Sequence, residues 1–203
     1  MLKPIDTMKR TIIFLLTAIV AVSCEFLDPR PIEDLTTDEL LSNADYGEGL
    51  LAQAYSILNT DYIDYTEYYT DNAVPSVPGS NSLALGNWTV QSTPIGQWDA
   101  WYEAIGYLNI YLRDCKNLLY SVSDPTINKT LQKQRRGEAF FMRAWYEWLL
   151  LQTYAGYPAG GGECLGFPIV TDVLSASDNL DRPRNTYEEC VAQIAKDCDS
   201  AIV

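Results

Sequence analysis

Apolar residues recur at helical spacing along most of the chain. One stretch, residues 136–158 (RGEAFFMRAWYEWLLLQTYAGYP), is so rich in them that little of its circumference is left for water. The polar positions Gln132, Arg136, Arg143 and Glu147 fall at offsets of 4, 7 and 4, which places them on one narrow helical stripe. That stripe is the part expected to face solvent, with neighbours covering the remainder. A covered Trp148 would cost about 3–5 kcal/mol on truncation to alanine. Asp124 before Pro125 reads as an N-cap followed by a proline at the first helical position, and Gly156 and Pro158 prevent continuation. A helix is therefore predicted over about 125–155, roughly 45 Å long.

The neighbouring patterns are shorter. Trp98, Trp101, Ile105, Leu108, Leu112, Cys115 and Leu119 are spaced 3, 4, 3, 4, 3 and 4, a seam for packing on another helix. The short connection to the long helix makes the two an antiparallel hairpin. Upstream, Thr36 with Glu39 reads as a capping box and Asn43 as a second cap. The helix they introduce runs to about residue 59, with Tyr46, Leu50, Leu51, Ala54, Ile57 and Leu58 on one side. Downstream, Thr186 and Glu189 cap a last helix whose inner side is expected to carry Tyr187, Val191, Ile194, Cys198 and Ile202. No helix follows to cover it, so the chain reads as incomplete at its C-terminus. Residues 60–93 show no period and collect tyrosines, a tryptophan and short polar residues, a long loop of the kind that is usually functional. A second connection, residues 156–183, opens on a glycine cluster and contains the apolar piece GFPIVTDV.

The N-terminus changes the picture. Lys9 and Arg10 precede an apolar run over residues 11–22 that is too short to span a bilayer comfortably, and AVSC closes it. Residues 1–23 are read as a lipoprotein signal peptide, with Cys24 as the lipid anchor and residues 24–35, Pro-rich and acidic, as a tether. Met8 is an alternative start, and a soluble secreted protein is the plainer alternative to the anchor. The chain has 203 residues, formal net charge −13 and no histidine. Lys3, Lys9 and Arg10 against Asp6 give the signal segment +2, so cleavage before Cys24 would take the charge to −15. Such acidity argues against nucleic acid, and the missing histidine excludes imidazole catalysis and His metal sites. Cys115, Cys164, Cys190 and Cys198 could form disulfides outside the cytoplasm, in any of three connectivities. Cys190 and Cys198 lie about 12 Å apart along one helix and cannot pair while it persists. No CxxC spacing suggests a metal, and no cofactor is expected.

CEFLDPRP after the lipoprotein box, the W-x-x-W-Y-x-x-I-x-x-L-N run from Trp98 to Asn109, the 136–158 helix, and GFPIVTDV with RPRNTYEECVAQIAKDCDSAI together resemble the N-terminal part of SusD-like (RagB/SusD) outer-membrane lipoproteins of Bacteroidetes. The glycine-rich AGGGECL departs from the family's shorter run there. The resemblance implies an all-α fold of tetratricopeptide-like helix pairs, with residues 36–203 as its N-terminal helical domain. It implies a non-enzymatic, surface-exposed lipoprotein that captures a glycan, or in some branches a peptide, for a SusC-like TonB-dependent transporter. It also implies that much of the ligand site comes from loops and from a C-terminal region. A helical docking fragment for the transporter, with no ligand site of its own, is the alternative.

Glycan recognition needs flat aromatic faces and neutral or acidic hydrogen-bonding groups, and residues 60–93 supply both. Tyr65, Tyr68, Tyr69, Asp71, Asn72 and Trp88 are the candidate ligand-binding residues, with Tyr62 beside them. The helical spacing of Tyr62, Tyr65 and Tyr69 equally suits packing, whereas Trp88 stands among Gly86, Asn87 and Thr89 with no period. Arg143 and Glu147 read as a solvated i, i+4 pair. The acid pairs Asp61 with Asp64 and Glu188 with Glu189 have nothing to arrange them around a cleft as a glycosidase requires.

Overall fold

The structure, a computed structural model, describes residues 43–58, 66–74, 76, 82–89, 96–175 and 177–202, all within the compact unit Glu39–Val203. The expected signal segment, the Cys24 anchor, the tether, the Thr36–Glu39 cap, and Tyr62 and Tyr65 lie outside the described residues.

Four main helices carry the fold: α1 (Ala44–Ser56), α2 (Trp98–Asp114), α3 (Pro125–Tyr154) and α4 (Tyr187–Ala201). The most extensive helix–helix packing joins α1 to α2, α2 to α3 and α3 to α4. Three starts follow from local chemistry. The Asn43 side chain accepts from Asp45 N, and the Asp124 carboxylate accepts from Thr126 N and Ile127 N. Thr186 and Glu189 make the reciprocal capping box of α4. The proline at the first position of α3 removes only an amide that would have had no helical partner.

The α2–α3 hairpin is antiparallel: Gln132, Arg136 and Arg143 reach Leu118 O, Leu112 O and Asn109 Oδ1 in turn, so residue numbers rise on one helix as they fall on the other. Between them the core is filled by Trp101, Ile105, Leu108 and Leu112 against Ala139, Met142, Tyr146 and Leu150. Leu51 and Ala54 of α1 close it from the other side, where Tyr146 Oη donates to Ala54 O at 2.6 Å. Gly47 sits where α1 crosses the α2–α3 turn. A Cβ there would meet the buried Leu118 Cδ1 at 2.2 Å, so this helical position has no room for a side chain.

After α3 the chain turns through Gly161 and Gly162, both at positive φ, and returns as an extended strap. Isolated antiparallel bridges tie Leu165 to Gly156 and to Thr186. Phe167 is buried, Tyr102 Oη donates to Pro168 O at 2.7 Å, and Asn109 Nδ2 donates to Val170 O and Asp172 O. The strap thus runs along two turns of α2. Arg184 fastens the start of the strap to the end of α3 by donating to Gly166 O and Tyr154 O.

Two expectations about facing are overturned. Arg143 and Glu147 do not face water: they are 5% and 0% exposed, while Phe141, Trp145 and Trp148 are 53%, 40% and 42% exposed. The polar stripe points into the bundle because Gln132 and Arg136 cap carbonyls of α2 and its turn, and Arg143 meets an acid on α4. At 100° per residue the three aromatics lie diametrically opposite it. In α4 the buried line runs through Cys190 and Asp197, with Ile194 beside it; Tyr187, Val191, Cys198 and Ile202 are exposed. The helix is rotated by roughly a fifth of a turn from the hydrophobic expectation because its inner line includes a charged residue with a buried partner. The α2 seam holds through Cys115, but Leu118, not Leu119, enters the core.

Candidate functional site

Within the 60–93 connection, a 3₁₀ turn (Thr66–Tyr69) packs against a helical turn (Ser82–Leu85). The first is knitted by its own polar groups: Thr70 Oγ1 donates to Glu67 O, Asn72 N donates to Thr70 Oγ1, and Asn72 Nδ2 donates to Glu67 Oε2 at 2.9 Å. Asp71 and Asn72 are exposed and Tyr69 is half-buried; Tyr68 is described by its backbone alone. Trp88, three residues beyond the helical turn, is 49% exposed, and Leu85 beside it is 65% exposed. The packing brings the Thr66–Tyr69 turn and the Ser82–Leu85 turn together. The exposed side chains of the connection include the Trp88 indole, the Asn72 amide and the Glu67 and Asp71 carboxylates, each of a kind that a hydroxyl-rich ligand can use.

The most unusual chemistry lies elsewhere, in the core. Arg143 Nε and Nη2 donate to the two oxygens of Asp197 at 2.6 and 2.9 Å, and Nη1 donates to Asn109 Oδ1 at 2.7 Å. The guanidinium also lies 5.5 Å from the centre of the Phe140 ring. One turn on, both oxygens of Glu147 are buried with no hydrogen-bond partner. Burial, and then the charge of Asp197, push the Glu147 carboxyl up to about 8, against the pull of Arg143. The sequence had paired Arg143 with Glu147 in water; the structure pairs it with Asp197 in the interior. Spacing alone could not find this, since Asp197 lies 54 positions away.

Cys115, Cys164, Cys190 and Cys198 are all free thiols. Burial pushes Cys115 up to about 11, so it behaves as a core residue. Among the described residues no group of three or more His, Cys, Asp or Glu is placed to hold a metal ion, and no helix is long and apolar enough to cross a membrane. On the outer side of α3, the Phe141, Trp145 and Trp148 rings stand in a row, with centroids 6.4 and 5.1 Å apart. Trp148 continues into a groove of about 550 Å³ walled by Leu151, Tyr187, Val191 and Ile194.

The fold recurs in known proteins. A SusD-like family, described as starch-binding associating with outer membrane, matches residues 25–203. The chain belongs to this SusD-like family. A SusD-like protein from Bacteroides fragilis NCTC 9343 superposes with a TM-score of 0.63 at 18% identity, over 85% of this chain and 32% of its own. A SusD-like carbohydrate-binding protein from the same organism gives 0.59 at 18%, over 80% and 31%. A candidate sugar-binding protein from Bacteroides vulgatus ATCC 8482 gives 0.60 at 25%, over 79% and 36%. The SusD-like chain thus spans about a third of the length of these solved structures, whose likeness supports the all-α fold. No curated protein sequence matches it.

Proposed function

We propose that this chain is a lipid-anchored protein of the outer cell surface that captures glycans for import through a SusC-like TonB-dependent transporter, without catalysing a reaction itself. The family match over residues 25–203 carries the reading, because the family's own description joins starch binding to the outer membrane. The match begins directly after Cys24, in keeping with residues 1–23 as an export signal and Cys24 as the acylated residue. Two of the similar structures are described as carbohydrate- or sugar-binding proteins, which supports a glycan as the ligand. Tyr65, Tyr68, Tyr69, Asp71, Asn72 and Trp88 are the residues proposed to meet it, with Trp88 stacking on a sugar ring and Asn72 bonding its hydroxyls.

Native affinity electrophoresis of the chain in gels containing a panel of polysaccharides tests this. At least one glycan should retard the wild type, and Trp88→Ala should lose most of that retardation. Retardation by no glycan, with binding of peptides instead, would replace the substrate class. The exposed Phe141, Trp145 and Trp148 row favours a second reading, in which the helical unit is a docking surface for the transporter with no ligand site. Co-purification with the transporter that survives deletion of residues 60–93, together with no ligand binding, would select it.

A further inference from the structure

Two acids share one cation where α2, α3 and α4 meet. Arg143 spends Nε and Nη2 on Asp197 and Nη1 on Asn109, which leaves Glu147, one turn along the same helix, buried without a donor. An i, i+4 neighbour is within reach of the same guanidinium, so Arg143 has two mutually exclusive acidic partners, one on α4 and one on its own helix. We propose that Glu147 is a proton-operated latch: neutral, it leaves Arg143 to clamp Asp197 and hold α4; ionised, it draws the guanidinium along α3 and releases α4.

The step is a single proton lost to solvent, followed by exchange of one ion pair for another. The charged and titratable groups around Glu147 are Arg143 on α3, Asp197 and Cys190 on α4, and Tyr102 on α2, with Arg184 acting on Tyr102 and Cys190 from the segment before α4. The retained proton agrees with the upward displacement of this carboxyl to about 8, which keeps the latch closed at neutral pH and opens it above. Asn109 extends the effect beyond α4. Its Oδ1 steadies Arg143, while its Nδ2 holds the strap carbonyls of Val170 and Asp172, so movement of the guanidinium loosens both elements together.

Amide hydrogen exchange, corrected for the intrinsic rate, should show protection of residues 190–201 falling at least about tenfold between about pH 6 and about pH 9.5. Glu147→Gln keeps the shape and abolishes the titration, so its α4 should stay protected at both values. Asp197→Asn removes the competing partner and should leave α4 weakly protected at both. Unchanged protection in the wild type, or an equal loss in Glu147→Gln, overturns the latch. Should Glu147→Gln fail to fold, infrared difference spectra of the wild type decide. A protonated-carboxyl carbonyl band must be present near neutral pH and vanish by about pH 9.5, and its absence near neutral pH overturns the proposal.

Discussion

Tyr146 and Trp148 are two positions apart on α3 and face nearly opposite ways. Tyr146 is fully buried and donates to Ala54 O, which ties α3 to the end of α1. Trp148 keeps 42% of its surface in contact with solvent and lines a groove. Tyr146→Ala should therefore cost about 3–5 kcal/mol through its cavity and the lost hydrogen bond to Ala54 O. Trp148→Ala should cost less than about 2 kcal/mol, since its burial is partial. Urea unfolding of both variants distinguishes them, and an equal loss would mean that Trp148 is covered in solution. The amino-acid pattern shows that α3 has two unlike sides but not which side is the inner one. Hydropathy assigns Arg143 and Glu147 to water; the partners of Arg143 on other elements, Asn109 and Asp197, reverse the assignment for Arg143, and Glu147 is buried one turn along without a partner.

Helix ends were easier to read than helix faces, because a cap is a contact within three residues and a face is set by whatever lies across it. Asn43, Asp124 and Thr186 all accept backbone amides as their sequence context requires. For α4 the cap matters more than usual, since few of its side chains are buried. Thr186→Ala should lower stability by about 1 kcal/mol, measured by thermal unfolding, and Thr186→Ser should restore most of it. No effect of the alanine would mean that the bridge between Leu165 and Thr186, rather than the side chain, sets where α4 begins. The rotation of α4 followed the same logic as α3: its inner line includes Asp197, which no hydrophobic count selects. The 60–93 connection was recognisable as a loop with ligand-type residues. Its folding into two packed turns was not, as each turn is too short to leave a period.

At the scale of the whole molecule, attachment and recognition are proposed to reside in different segments. Cys24 is proposed to carry the lipid, Trp88 and Asn72 to meet the glycan, and the α1–α4 unit to hold the loop in shape. No described helix is long and apolar enough to cross a membrane, and an acidic surface gains nothing from anionic headgroups; on this reading the acyl chains supply the attachment. Cys24→Ala should then abolish incorporation of labelled palmitate and shift the protein from the membrane pellet to the soluble fraction. Its retardation by glycan should remain that of the wild type, because no residue of the loop has changed. Trp88→Ala should do the reverse, remaining in the pellet while losing the glycan. A Cys24→Ala protein that is still labelled, or still pellets, would show that something other than Cys24 holds the chain to the membrane. Loss of glycan binding in that variant would show that anchoring and recognition are not separable.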